Sequence, residues 1–136
     1  MRLSDNFTLE EMVRSTTAEA RGIDNTPSQD EINNLKELCQ NVLQPIRDKY
    51  GKPIYINSGY RCPLLNRAVG GVNNSQHKSG QAADIRSEDN KELWDLIVDM
   101  RNKNELIFDQ LIDESNLSWI HISYKKENNR NQILYL

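Results

Sequence analysis

Apolar side chains recur along this chain with two periods. Between Ser28 and Tyr50, the residues Ile32, Leu35, Leu38, Val42 and Ile46 fall three or four positions apart, which gathers them on one helical face. Ser28-Gln29-Asp30-Glu31 has the form of a capping box, in which hydroxyl and carboxylate each accept the other residue's backbone N–H. Gly51 should end this helix, and Pro45 should kink or crowd its last turn. A second capping box, Thr8-Leu9-Glu10-Glu11, predicts a shorter helix through about Thr16. Leu93, Trp94, Ile97, Val98 and Met100 predict a third, from Ser87 to about Asn102. Elsewhere the apolar runs are short. Pro53–Asn57, Ala82–Arg86, Ile107–Ile112 and Ser118–Tyr124 read as strands, the last two as an antiparallel hairpin around Asp113-Glu114-Ser115-Asn116-Leu117. Ser58-Gly59-Tyr60-Arg61 turns sharply, Cys62–Ala68 predicts one or two helical turns before Gly70-Gly71, and Gln132–Leu136 a last edge strand. Helices first and a small antiparallel sheet afterwards define an α+β fold.

With 136 residues and no repeat or linker, the chain is expected to form a single domain, residues 1–136. Seventeen basic against twenty acidic side chains give a net charge of -3, which offers no basic surface for nucleic acid. No apolar run approaches the ~20 residues of a membrane helix, and Met1-Arg2-Leu3-Ser4-Asp5-Asn6 lacks the apolar stretch of a secretory signal. The expectation is a monomer made in the cytoplasm, with no nucleic-acid or membrane partner. Cys39 and Cys62 are too far apart for a Cys-x-x-Cys motif, and both are expected to be reduced.

Two histidines are present, His77 and His121. With Asp84, seven residues after His77, they form a candidate set of two imidazoles and one carboxylate. That is the ligand set of a catalytic zinc ion, and it leaves a fourth position for water. The helical His-Glu-x-x-His zinc motif is absent. In a strand, His121 would share a face with Trp119 and Ser123.

The neighbouring residues carry a resemblance. Ser58-Gly59-Tyr60-Arg61, Asn66, Val69-Gly70-Gly71, Ser75-x-His77-x-x-Gly80-x-Ala82-x-Asp84 and Trp119-x-His121, in that order, resemble the zinc D-Ala-D-Ala carboxypeptidase-like metallopeptidases. That family includes murein peptidases and phage endolysins, and it shares its metal core with the hedgehog signalling domain. The opening Phe7–Glu11 and Gly22–Pro27 segments are similar to its short phage and prophage members. The resemblance implies a hedgehog/DD-peptidase-like sheet carrying Zn2+ on His77, Asp84 and His121, packed against the N-terminal and central helices. It implies Arg61 as a catalytic and substrate-binding residue, on a substrate carboxylate or the polarised carbonyl, a role suited to its donor fork. Ser75 would bind substrate or its own loop, and Trp119 would wall the cleft. The substrate implied is a peptidoglycan stem peptide, cut as by a D-Ala-D-Ala carboxypeptidase or an L-Ala-D-Glu endopeptidase. The implied setting is a phage or prophage enzyme acting at the bacterial cell wall after release, or a virion component.

One departure from the family pattern matters. Many members carry a glutamate three residues before the last histidine, and others a histidine two residues before it; here Ser118 and Trp119 stand there. Glu114, expected in the hairpin loop, is the first choice for the general base, with Asp109 and Asp113 as alternatives. The missing acid also motivates a rival reading, a zinc-fold binding or virion module without turnover.

Overall fold

The computed structural model describes all 136 residues. A short β1 (Arg2–Ser4) pairs antiparallel with β2 (Phe7–Thr8), which runs into α1 (Leu9–Val13). Both halves of the predicted capping box form, with Thr8 as N-cap and Glu11 reaching back. The helix stops at Val13 rather than Thr16, because the Ser15 hydroxyl accepts the Ala18 N–H and caps a new helix, α2 (Thr16–Arg21). The sequence reading did not foresee α2.

The long apolar-striped segment is one continuous helical rod: α3 (Gln29–Leu38), a wide turn over Cys39–Leu43, and α4 (Gln44–Tyr50). Its Ser28/Glu31 capping box is complete, and Gly51 ends it in the left-handed conformation at φ 72°. Pro45 explains the wide turn. Proline has no N–H to give four residues back and its ring crowds that carbonyl; the preceding Gln44 N–H reaches the Cys39 carbonyl five residues back, a local π-type expansion. Leu35, Leu38, Val42, Leu43 and Ile46 are buried along the rod.

The remaining elements are β3 (Tyr55–Ser58), α5 (Pro63–Ala68), a 3-10 turn at Gln76–Ser79, β4 (Ala82–Arg86), α6 (Asn90–Asn102), β5 (Gln110–Glu114), β6 (Trp119–Ser123) and β7 (Gln132–Tyr135). Five strands make one sheet in the order β3-β4-β6-β5-β7. All neighbours are antiparallel except β5 and β7, which run parallel, so the α+β sheet is antiparallel with one parallel edge. Ala83, Ile85, Leu111, Ile120 and Ile122 point to the core, where they meet the rod and Leu93 and Ile97 of α6. The alternate residues Asp84, His121, Ile112 and Glu114 face the other way. The hairpin differs from its sequence reading. Strand β5 runs to Glu114 and the loop is Ser115–Ser118, with Ser115, Asn116 and Leu117 all at positive φ. The Asp113 carboxylate accepts the Leu117 N–H at 2.7 Å and holds that turn.

Cys39 and Cys62 are free. Cys39 is buried, and burial pushes its thiol up to about 12. Cys62 caps α5, its sulfur accepting the Leu65 N–H. No helix is long and apolar enough to cross a membrane.

Candidate metal centre

Two strands and one turn bring the predicted ligands together. The strand register sets Asp84 of β4 opposite His121 of β6, and His121 opposite Ile112 of β5. His77 arrives from the other side, on the 3-10 turn that the Ser75 hydroxyl caps by accepting the His77 N–H at 3.2 Å. Gly80 closes that turn at φ 75°, a conformation open to glycine, where an added Cβ would also press on the Glu31 carbonyl.

Asp84 Oδ1 lies 3.3 Å from His77 Nε2 and 3.0 Å from His121 Nδ1. One ligand atom from each of the three residues falls within 4.8 Å of the others. Tetrahedral zinc with bonds of about 2.0–2.1 Å places neighbouring ligand atoms ~3.3 Å apart, so the donor set fits zinc in type and spacing. The tautomer of His77 fits as well. Its Nδ1 lies 2.7 Å from the Gly59 carbonyl, which only accepts, so Nδ1 carries a proton and Nε2 is the nitrogen presented to Asp84. Burial opposes ionisation of Asp84, but hydrogen bonds to His121 and His77 outweigh it and hold the carboxyl well below the usual carboxylate range.

The turn that supplies Gly59 is itself fixed. The Tyr60 N–H donates to the Met12 carbonyl at 2.8 Å, and a Cβ on Gly59 would collide with that carbonyl. Buried Asn25 donates to the carbonyls of Val13 and Tyr60 and accepts the Cys62 N–H, tying the N-terminal helices to the turn. Arg61 follows. Its Nη2 donates to Asp84 Oδ2 at 3.2 Å, its Nε to Ser58 Oγ at 3.0 Å and its Nη1 to Asn66 Oδ1 at 3.1 Å. Arg61 therefore grips the carboxylate oxygen that does not face the histidines. Burial works against its charge, and Asp84 supports it.

These groups line a cleft of about 590 Å³ whose walls include Arg61, Ser75, His77, Asp84, Glu114, Trp119, His121 and Arg130. That is the usual size range for a small-molecule site, roughly 300–1,000 Å³. A second cavity, between α1 and α2, contains none of the predicted residues. Glu114 stands at the end of β5 rather than in the loop, directly across from Trp119. It is thus a diagonal neighbour of His121 on one face, a separation of about 7–8 Å between backbones that a glutamate side chain can bridge. The two alternative acids are engaged elsewhere. Asp113 holds the hairpin turn. Asp109 is wholly buried and accepts from Gln76, from the Arg130 guanidinium and from the Arg130 N–H.

Sequence reasoning missed the supports: Asn25, the Gly59 carbonyl as partner of His77, Gln76 and the Asp109–Arg130 pair. Asn25 and Asp109 carry no local signal, because their partners are distant in sequence. Gly59 had one, a glycine inside an otherwise β-forming run.

Comparison with known proteins agrees with this geometry. A family model described as Peptidase M15 matches residues 5–123. The chain is also similar to a zinc D-Ala-D-Ala carboxypeptidase from Streptomyces albus G, with 48% identity over 44 residues. That stretch is 32% of this chain and 17% of the relative.

Proposed function

Given that the chain belongs to the peptidase M15 family of zinc metallopeptidases, we propose that it hydrolyses stem peptides of peptidoglycan, with His77, Asp84 and His121 holding the zinc. The observation that carries the reading is the placement of Asp84 Oδ1 3.3 and 3.0 Å from the two imidazoles, inside a cleft that Glu114 also lines. Zinc bound there supplies a Lewis acid, which acidifies water and polarises a carbonyl.

The protein's own groups supply the rest. Glu114 takes the proton of the attacking water and returns it to the leaving amine, the two-way role of a positioned carboxylate. Gly59 holds the His77 tautomer, and Ser75 shapes the turn that presents His77. Arg61 anchors Asp84 and presents positive charge at the cleft wall, where the developing oxyanion gains from it. Trp119 forms an apolar wall beside Glu114 and excludes water from one side. The bonds best matched to the family likeness are D-Ala-D-Ala, cut as by a carboxypeptidase, and L-Ala-D-Glu, cut as by an endopeptidase. The likeness of Phe7–Pro27 to phage and prophage members supports a role in cell-wall lysis.

The test is digestion of purified peptidoglycan by the zinc-loaded protein, with mass spectrometry of the released pieces. Zinc-dependent release of D-alanine, or of peptides beginning at D-glutamate, is expected. Intact stem peptides after prolonged incubation with fully zinc-loaded protein contradict the proposal and favour a binding module.

A further inference from the structure

The cleft holds a second arginine that the metal site leaves unused. Arg130 lies in the segment before β7 and lines the cleft. Its Nε and Nη2 donate to the two oxygens of Asp109 at 3.0 and 2.7 Å, and its backbone N–H donates to Oδ1 at 3.0 Å. Asp109 is wholly buried and also accepts from Gln76 Nε2 at 3.1 Å, so the guanidinium sits on a rigid base. Its Nη1 has no partner in the protein, and the side chain is 52% exposed. Lys125 Nζ stands 3.6 Å from the same carboxylate. Two cations share one anion, and this end of the cleft keeps a surplus positive charge. Arg61 is different, because its Nε, Nη1 and Nη2 already serve Ser58, Asn66 and Asp84.

The order along β5 is informative. Asp109 immediately precedes Gln110, which lines the cleft two residues before Ile112, the partner of His121. Glu114 lies two residues beyond Ile112 on the same face. At ~3.4 Å per residue, Asp109 with its arginine stands about 10 Å and Glu114 about 7 Å along the strand from the level of His121, on opposite sides.

The two candidate scissile bonds share one feature. In D-Ala-D-Ala and in L-Ala-γ-D-Glu, the residue contributing the amide nitrogen carries a free α-carboxylate on its next carbon. We propose that Arg130 binds this carboxylate and so selects amide bonds flanked by a free α-carboxylate on the leaving-group side. A planar fork locked on one edge and open on the other is suited to that task. The inference rests on the peptidase reading, and its test separates the two.

The probe is a ketomethylene isostere of D-alanyl-D-alanine, which has no amide to cleave, in carboxylate and carboxamide forms. Binding of each to the zinc-loaded full chain is measured by calorimetry, beside turnover of the parent dipeptide and of an L-Ala-γ-D-Glu stem peptide. The wild type is expected to prefer the carboxylate by ~10–100-fold, the range of a charge-assisted pair. Arg130→Gln should remove that preference by weakening carboxylate binding alone. Arg130→Lys keeps a cation on Asp109, and thereby the fold, but loses the fork; it should retain only part of the preference. A wild type without preference, or full preference surviving in whichever variant folds, overturns the inference. An Arg130-dependent preference in a protein that hydrolyses neither the parent dipeptide nor an L-Ala-γ-D-Glu stem peptide upholds the inference and counts against the peptidase reading. Turnover with full preference in both variants does the reverse.

Discussion

The Gly59 carbonyl accepts the Nδ1 proton of His77 at 2.7 Å, across 18 residues of sequence. One backbone atom thereby decides which imidazole nitrogen faces Asp84, and the same glycine touches the Met12 carbonyl too closely for any side chain. Gly59→Ala is expected to push this turn away from α1. Thermal unfolding should show a loss of about 1–3 kcal/mol, the range for overpacking. Zinc affinity, measured by competition with a chelator, should fall ~10–100-fold, as for other losses of a ligand's hydrogen-bond partner.

Removing the metal should expose what the ligands cost the empty protein. Asp84 is buried beside Arg61, so Asp84→Asn leaves the guanidinium without its anion as well as breaking the ligand set. Zinc content after dialysis is expected to fall from one equivalent to near none. Unfolding stability should fall by roughly 3 kcal/mol, as when one partner of a buried pair is removed. Retention of full zinc by this variant would exclude Asp84 as a ligand.

The sequence made much of this legible, for identifiable reasons. The rod from Gln29 to Tyr50 was readable because period, capping box and terminal glycine agree. The cluster of His77, Asp84 and His121 was readable because Ser75, Gly80 and Trp119 surround the histidines in a family-like order. The hairpin shifted by two residues because its loop uses three consecutive left-handed residues, Ser115 to Leu117, held by Asp113. No glycine advertises that loop. The shift carries Glu114 out of the loop and onto the cleft face of β5. The supports at Asn25 and Asp109 stayed hidden because each joins segments more than ten residues apart.

Asp109 makes stability depend on acidity. Hydrogen bonds from Arg130 outweigh burial and hold its carboxyl well below the ordinary range. Its contribution is therefore complete above the unfolded carboxyl value of about 3.9 and is lost as pH falls through the lower folded value. Asp109→Asn should unfold more readily at neutral pH and show a flatter decline in stability between roughly pH 5 and 2. Parallel curves for wild type and variant in that range would show that the pair contributes nothing.

The thiols should differ in reactivity. Cys39 is buried with its thiol pushed up to about 12, whereas Cys62 is partly exposed at the head of α5. Alkylation with iodoacetamide at neutral pH, read by peptide mass spectrometry, is expected to modify Cys62 alone in the native protein and both after denaturation. Native labelling of Cys39 would contradict the packing of the rod.

Glu114 carries the central chemical claim, since it is the acid that shares the sheet face and the cleft with His121 while Asp109 and Asp113 are tied to structural partners. The decisive measurement is the turnover of a synthetic stem peptide by zinc-loaded wild type and by Glu114→Gln at equal zinc content. The expected result is a fall in kcat of ~10²–10⁴-fold, the usual contribution of a general base, with zinc affinity and unfolding temperature unchanged. Equal kcat in the two proteins would contradict the assignment, and no turnover by the wild type would contradict the peptidase reading itself.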